Sequence, residues 1–150
     1  MSWTKLNGSG DIAALLEQYG GFHDSCIVGI RYQSGNFVDE KRRMGCGSSQ
    51  DHVLYITFQR QREPVTLELC FTGVRRFHIE GWRENYFCDI FGCQLREIKA
   101  MGPGGEERLI LWADNEDFSL EGAGPEPLEA LSSSYIIAEQ CRWRFAGQGQ

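Results

Sequence analysis

Two histidine–aspartate pairs are the residues in this chain best suited to chemistry. His23-Asp24 precedes an alternating stretch from Cys26 to Tyr32, and Asp51-His52 precedes another from Val53 to Arg60. Imidazole beside carboxylate can hold a divalent metal or pass a proton near neutral pH. If the two stretches are neighbouring strands, the pairs could meet at one end of a sheet, where His78 and Glu80 could join them. On that arrangement His23, Asp24, Asp51 and His52 are the catalytic candidates of a small metal-assisted hydrolase. Against it, the chain has no H-E-x-x-H motif, a histidine before a strand commonly bonds nearby backbone, and Asp24 suits an ordinary turn. The spacings predict neither a resident metal nor a cofactor.

The cysteines and the acidic residues offer less. Cys46 in Gly45-Cys-Gly-Ser-Ser49 has the exposed, glycine-flanked setting of a nucleophile, with His52 as a conceivable base, but reads better as a loop cysteine. Cys88 and Cys93 fit one half of a zinc knuckle and lack the second half. Cys26, Cys70 and Cys141 fall in apolar alternations, where cysteine acts as a small hydrophobe. Asp114, Glu116, Asp117 and Glu121 form the densest carboxylate cluster, without the glycine-centred calcium loop, and read as a solvated acidic turn.

Arginines and tryptophans give a second kind of site. Arg60, Arg62, Arg75, Arg76, Arg142 and Arg144 lie in strand-like runs. They can pair across strands with Glu68 or Glu80. With tryptophans nearby they could instead form a recognition surface, since both residue types dominate binding hot spots. Arg60, Arg76, Trp82, Arg142 and Trp143 are the binding candidates on that reading.

The elements that must position these groups are mostly strands. The run from Val53 to Glu80 reads as three of them, 52–60, 65–72 and 74–80. Leu54, Ile56 and Phe58, then Val65, Leu67, Leu69 and Phe71, then Phe77 and Ile79, each alternate with polar residues, a period of two. The polar link Gln61 to Pro64 pairs the first two as a hairpin. Before them, Asp11 is a plausible helix N-cap, Ile12, Leu15, Leu16 and Tyr19 make one apolar stripe, and Gly20-Gly21 ends the helix. Residues 33–51 form a long polar connection. After the meander come a turn at 81–85 and a short helix or irregular strand over 86–91. A hairpin follows around Gly102-Pro-Gly-Gly105, with Leu109 and Leu111 on one face and Ile110 and Trp112 on the other. A Gly/Pro loop at 122–127 and a helical turn at 127–131 lead to a last strand, 134–145. There Tyr135, Ile137, Cys141, Trp143 and Phe145 share one register. Residues 1–10 read as an arm and 146–150 as a frayed tail.

The chain has 150 residues, 41% hydrophobic and 12% aromatic, sufficient for one cored domain. A net charge of −6 disfavours binding to a phosphate backbone and argues against nucleic acid as a partner. Residues 1–8 carry no apolar leader, and no apolar run is long enough for a membrane span. The expected address is the cytoplasm, with the six cysteines as free thiols.

Phe22-His-Asp-Ser-Cys-Ile27, Phe58-Gln-Arg-Gln61, Leu67-Glu-Leu-Cys-Phe-Thr-Gly-Val74 and Cys141-Arg-Trp-Arg144 occur in an order that resembles an uncharacterised group of small bacterial proteins. The resemblance covers about residues 19–145 and implies one undivided domain. Phe-His-Asp after an N-terminal helix, followed by a sheet, also looks like some immunity-protein families of bacterial toxin systems. That likeness implies toxin neutralisation by binding and carries over no functional residue.

These observations predict an α+β, mainly-β single domain: a curved antiparallel sheet or small β-sandwich with one N-terminal helix packed on it. The expected function is a non-enzymatic protein-binding module, immunity-like, with an unknown protein partner. The metal-assisted hydrolase and a small-ligand carrier are the alternatives.

Overall fold

The computed structural model describes residues 2–82, 84–85, 87–119 and 134–147. Seven strands make one antiparallel sheet in the order β2-β5-β6-β9-β8-β7, with β1 joined to β9. They are β1 (Thr4–Lys5), β2 (Ser25–Gln33), β5 (Val53–Arg60), β6 (Thr66–His78), β7 (Gln94–Gly102), β8 (Gly105–Ala113) and β9 (Tyr135–Phe145). Between β2 and β5, β3 (Phe37–Val38) and β4 (Met44–Gly45) form a separate two-stranded hairpin. The fold is thus α+β and mainly β, with an open sheet. The sheet is strongly curved: the Phe58 ring on β5 lies 5.2 Å from Trp112 on β8, although β6 and β9 run between those strands.

The helix α1 (Ser9–Gln18) starts two residues before the expected cap. Asp11 sits in its first turn and accepts the Asn7 N–H at 2.8 Å, so its carboxylate reaches back over the helix start. Ile12, Leu15 and Tyr19 are buried, and Leu16 packs beside them, as the apolar stripe requires. Gly21 at φ +63° turns the chain out of the helix. Phe22 then drops into the core, edge-on to Phe58 at 4.9 Å and to Tyr19 at 5.4 Å. Phe22, Phe58 and Trp112 are fully buried; full burial of a large apolar side chain contributes roughly 1.5–3 kcal/mol.

The second and third expected strands are one strand, β6. No turn separates them. Gly73, at φ +66°, and a bulge next to Arg75 absorb the irregularity without ending the pairing with β9. Opposite this point β9 also changes face. Cys141, Trp143 and Phe145 face the helix side, but so do Ile136 and Ala138, whereas Tyr135 and Ile137 join Leu109, Leu111 and Ala113 on the other side. The single register expected for β9 is therefore broken between Ala138 and Cys141.

Polar pairs and stacked cations occupy much of the outer face. Arg144 pairs with Glu68 at 2.9 Å and lies 4.3 Å over the Trp3 ring. Arg75 on β6 bridges Glu107 of β8 and Glu139 of β9 at 3.0 and 2.9 Å. The N-terminal arm is part of the sheet, with Thr4 opposite Trp143, Lys5 opposite Arg142 and Leu6 buried. The hairpin around Gly102–Gly105 and the split of Leu109/Leu111 from Ile110/Trp112 are as expected. Neither a helix nor a regular strand forms over 87–92; Ile90 makes a single bridge to Ser25. The segments expected at 122–131 lie outside the described residues.

Candidate functional site: an acidic cleft

The two histidine–aspartate pairs do not meet. β2 and β5 are indeed neighbours, but they are antiparallel, with Ser25 opposite Arg60 and Gln33 opposite Val53. His23-Asp24 and Asp51-His52 therefore stand at opposite ends of the strand pair, roughly 27 Å apart at the usual rise per residue. Each has local work. His23 is hydrogen-bonded through Nδ1 to the Phe91 carbonyl at 2.6 Å, and its Nε2 lies 3.5 Å from Asp24. Asp51 accepts the Ser48 N–H at 2.8 Å and the Ser48 hydroxyl at 3.1 Å, bonds that hold its carboxyl below the usual range. The His52 carbonyl accepts from Val74 N–H at 3.2 Å. Among the described residues, no three His, Cys, Asp or Glu side chains are grouped to hold a metal ion.

The five arginine and tryptophan candidates are likewise dispersed. Arg60 is buried under the helix end, where its guanidinium lies 4.4 Å over the Tyr19 ring and donates to the Pro64, Glu63 and Gln18 carbonyls. Desolvation by the surrounding core pulls its pKa down and pushes the Tyr19 hydroxyl up to about 12. Arg142 points to the outer face and donates to the Cys70 sulfur at 3.5 Å. Trp143, the next residue in the strand, points inward and packs edge-on to Phe145 at 5.1 Å. Arg76 and Trp82 are exposed elsewhere.

Carboxylates converge instead on a cleft of about 480 Å³ between the β6–β7 connection and the turn after β8. Glu80, Asp89, Asp114, Glu116 and Asp117 line it. The exposed rings of Phe87 and Phe91 form part of its wall, and exposed Trp82 follows Gly81 of the lining. Main-chain bonds set its shape. Ser134 donates its N–H to Asp114 Oδ1 at 2.8 Å, and its hydroxyl accepts the Glu80 N–H at 2.9 Å. One buried serine thus ties the strands β6, β8 and β9 together at the cleft. Across from it, the Gln94 amide donates to the carbonyls of Asn115, Glu116 and Phe118 at 3.1, 2.9 and 2.8 Å, which fixes the acidic turn. Gly92 lies directly below that turn, against the exposed Glu116 carboxylate, which would have to turn aside for a Cβ there.

The cleft's electrostatics follow from burial and crowding. Burial pushes the Asp114 carboxyl up to about 6, nearby Glu80 adds to this, and the bond from Ser134 N–H opposes it. Burial raises the Cys93 thiol to about 12, with Glu116 and Asp114 contributing. His78, bonded to Glu80 at 3.1 Å, places an imidazole beside these acids. Such a site gains free energy when a cation enters, since attraction replaces repulsion among the carboxylates.

The sequence had marked Asp114, Glu116 and Asp117 only as a solvated turn. Glu80 and Asp89 come from the β6–β7 connection, distant in the chain, and no local spacing announces their approach. The dense aromatics of 82–91 beside acidic residues were the available signal.

The fold and site together define an α+β, mainly-β protein with an open seven-stranded antiparallel sheet and an acidic, aromatic-walled cleft. No protein-family model, no curated protein and no solved structure matches the chain.

Proposed function

We propose that the protein is a non-enzymatic protein-binding module, immunity-like in action, and that its contact surface is the acidic cleft. The observation that carries this reading is the juxtaposition of five carboxylates with the exposed rings of Phe87 and Phe91. Acidic groups select a lysine- or arginine-bearing partner and speed its approach, while aromatic rings supply the apolar contact typical of hot spots. The partner is therefore a protein with a basic, partly apolar surface. The net charge of −6 favours the same class of partner over nucleic acid. The hydrolase reading loses its support with the separation of the two histidine–aspartate pairs.

A lysine-rich peptide carrying one aromatic residue serves as the probe, followed by NMR shifts or fluorescence. Binding at residues 80–92 and 114–117, weakened about tenfold by Glu116→Lys and several-fold by Trp82→Ala or Phe87→Ala, is the expected result. Binding that is equally tight in all three variants, or that maps to the Arg142–Trp3 face, would overturn the reading. Ionisation of Asp114 adds an attractive charge, so affinity should rise as pH increases through about 6.

A further inference from the structure

The connection between β6 and β7 is stitched to β2 at one place. Ile90 N–H donates to the Ser25 carbonyl at 2.7 Å, and Asp24 N–H donates to the Ile90 carbonyl at 2.9 Å. This antiparallel bridge lays residues 88–90 alongside the start of β2. That bridge brings Cys26 and Cys88 into one corner of the fold, near enough for the Cys88 thiol to help raise the Cys26 pKa. Cys26 is half-buried on the strand, and Cys88 is exposed in the cleft wall. The other cysteines are differently placed. Cys70 and Cys141 are buried, on opposite faces of the sheet, Cys93 is held among the cleft acids, and Cys46 is exposed on the β3–β4 hairpin.

We propose that Cys26 and Cys88 form a dithiol site that closes to an intramolecular disulfide when the protein meets a low-molecular-weight disulfide such as oxidised glutathione. Cys88, being exposed, loses its proton to solvent and its thiolate attacks one sulfur of the small disulfide. That S–S bond breaks, one glutathione thiolate leaves, and a mixed disulfide remains on Cys88. Cys26 then gives up its proton and attacks the Cys88 sulfur, releasing the second glutathione thiolate. The protein loses two protons and two electrons, and the small disulfide is reduced to two thiols. Burial, reinforced by the neighbouring Cys88 thiol, raises the Cys26 pKa, which favours this order of attack. A disulfide needs the two Cβ atoms about 3.5–4.5 Å apart, and the connection that carries Cys88 is tied to β2 by a single bridge. The bond would fasten the cleft wall at Cys88 to the sheet edge, whatever ligand the cleft takes.

The test treats the full-length folded protein with oxidised glutathione, blocks residual thiols and digests it without reductant. A monomer lighter by two hydrogens, whose peptides join Cys26 to Cys88, is the expected product. Cys88→Ser should abolish it and Cys46→Ser should leave it intact. Amide exchange over residues 87–92 should slow on oxidation and recover with reductant. A lasting glutathione adduct on Cys88 with Cys26 free would overturn the proposal. So would a bond from Cys88 to Cys93, or unchanged exchange in the crosslinked protein.

Discussion

Gly73 of β6 lies against the Glu139 side chain of β9, where both strands change the face they present to the core. A Cβ at position 73 would collide with the Glu139 carboxylate, which is itself tied to Arg75 at 2.9 Å and so cannot simply swing aside. The backbone there has φ +66°, a conformation that costs other residues about 1–2 kcal/mol. Gly73→Ala should therefore destabilise the fold by about 2 kcal/mol in urea unfolding. A double variant with Glu139→Ala should recover only the steric part, leaving the backbone cost.

Arg60 is a second place where a single residue holds distant parts together. Its side chain joins the end of α1, through Gln18 and Tyr19, to the β5–β6 turn, through Glu63 and Pro64. Arg60→Ala leaves those carbonyls without their donor and removes the stacked cation from Tyr19. A loss of about 2–4 kcal/mol in chemical denaturation is expected. Binding of a basic peptide by protein that is still folded should be unchanged, since Arg60 is buried and does not line the cleft.

His23 and His52 give a test of the site itself. They flank β2 and β5 at opposite ends, and their partners do not overlap. The stability changes of His23→Ala and His52→Ala should add in the double variant within about 0.5 kcal/mol. A coupling well above that, measured by a double-mutant cycle, would mean that the two ends communicate after all.

The strands were legible wherever one face is apolar and the other polar, as in Leu54 to Gln59 and Leu67 to Thr72, because period-two burial leaves a direct trace in the residues. The helix was legible for the same reason at a different period. The join of 65–72 to 74–80 was not, because Gly73 reads as a turn signal and only the uninterrupted partner β9 keeps the pairing going. The face change at Ala138–Cys141 is hidden similarly: Ile136 and Ile137 are equally apolar, and each face offers a cluster to receive one of them. Strand neighbours could be guessed from hairpin lengths, but the fate of the two histidine–aspartate pairs rested on strand direction across the long 33–51 connection. The cleft was least legible, since it needs Glu80 and Asp89 from one connection and Asp114 to Asp117 from another.

Asp114 carries the clearest pH signature. Its carboxyl titrates near 3.8 when unfolded and near 6 in the fold, chiefly because burial disfavours the charged form. The folded state thus holds the proton more tightly. Its stabilising contribution is complete below about pH 4 and is lost as pH rises through 6. The shift corresponds to about 3 kcal/mol at face value and to about 1 kcal/mol once screening by solvent is allowed for. Asp114→Asn keeps an oxygen to accept the Ser134 N–H yet never ionises. The variant should match the parent protein near pH 4 and exceed its stability by about 1 kcal/mol at neutral pH, with a flatter profile between. Urea midpoints collected across that range decide the matter: parallel profiles would mean that Asp114 titrates normally, and the cleft would lose its one strongly shifted carboxyl. The same substitution should also remove the rise in basic-peptide affinity through pH 6, because no charge then appears at that position.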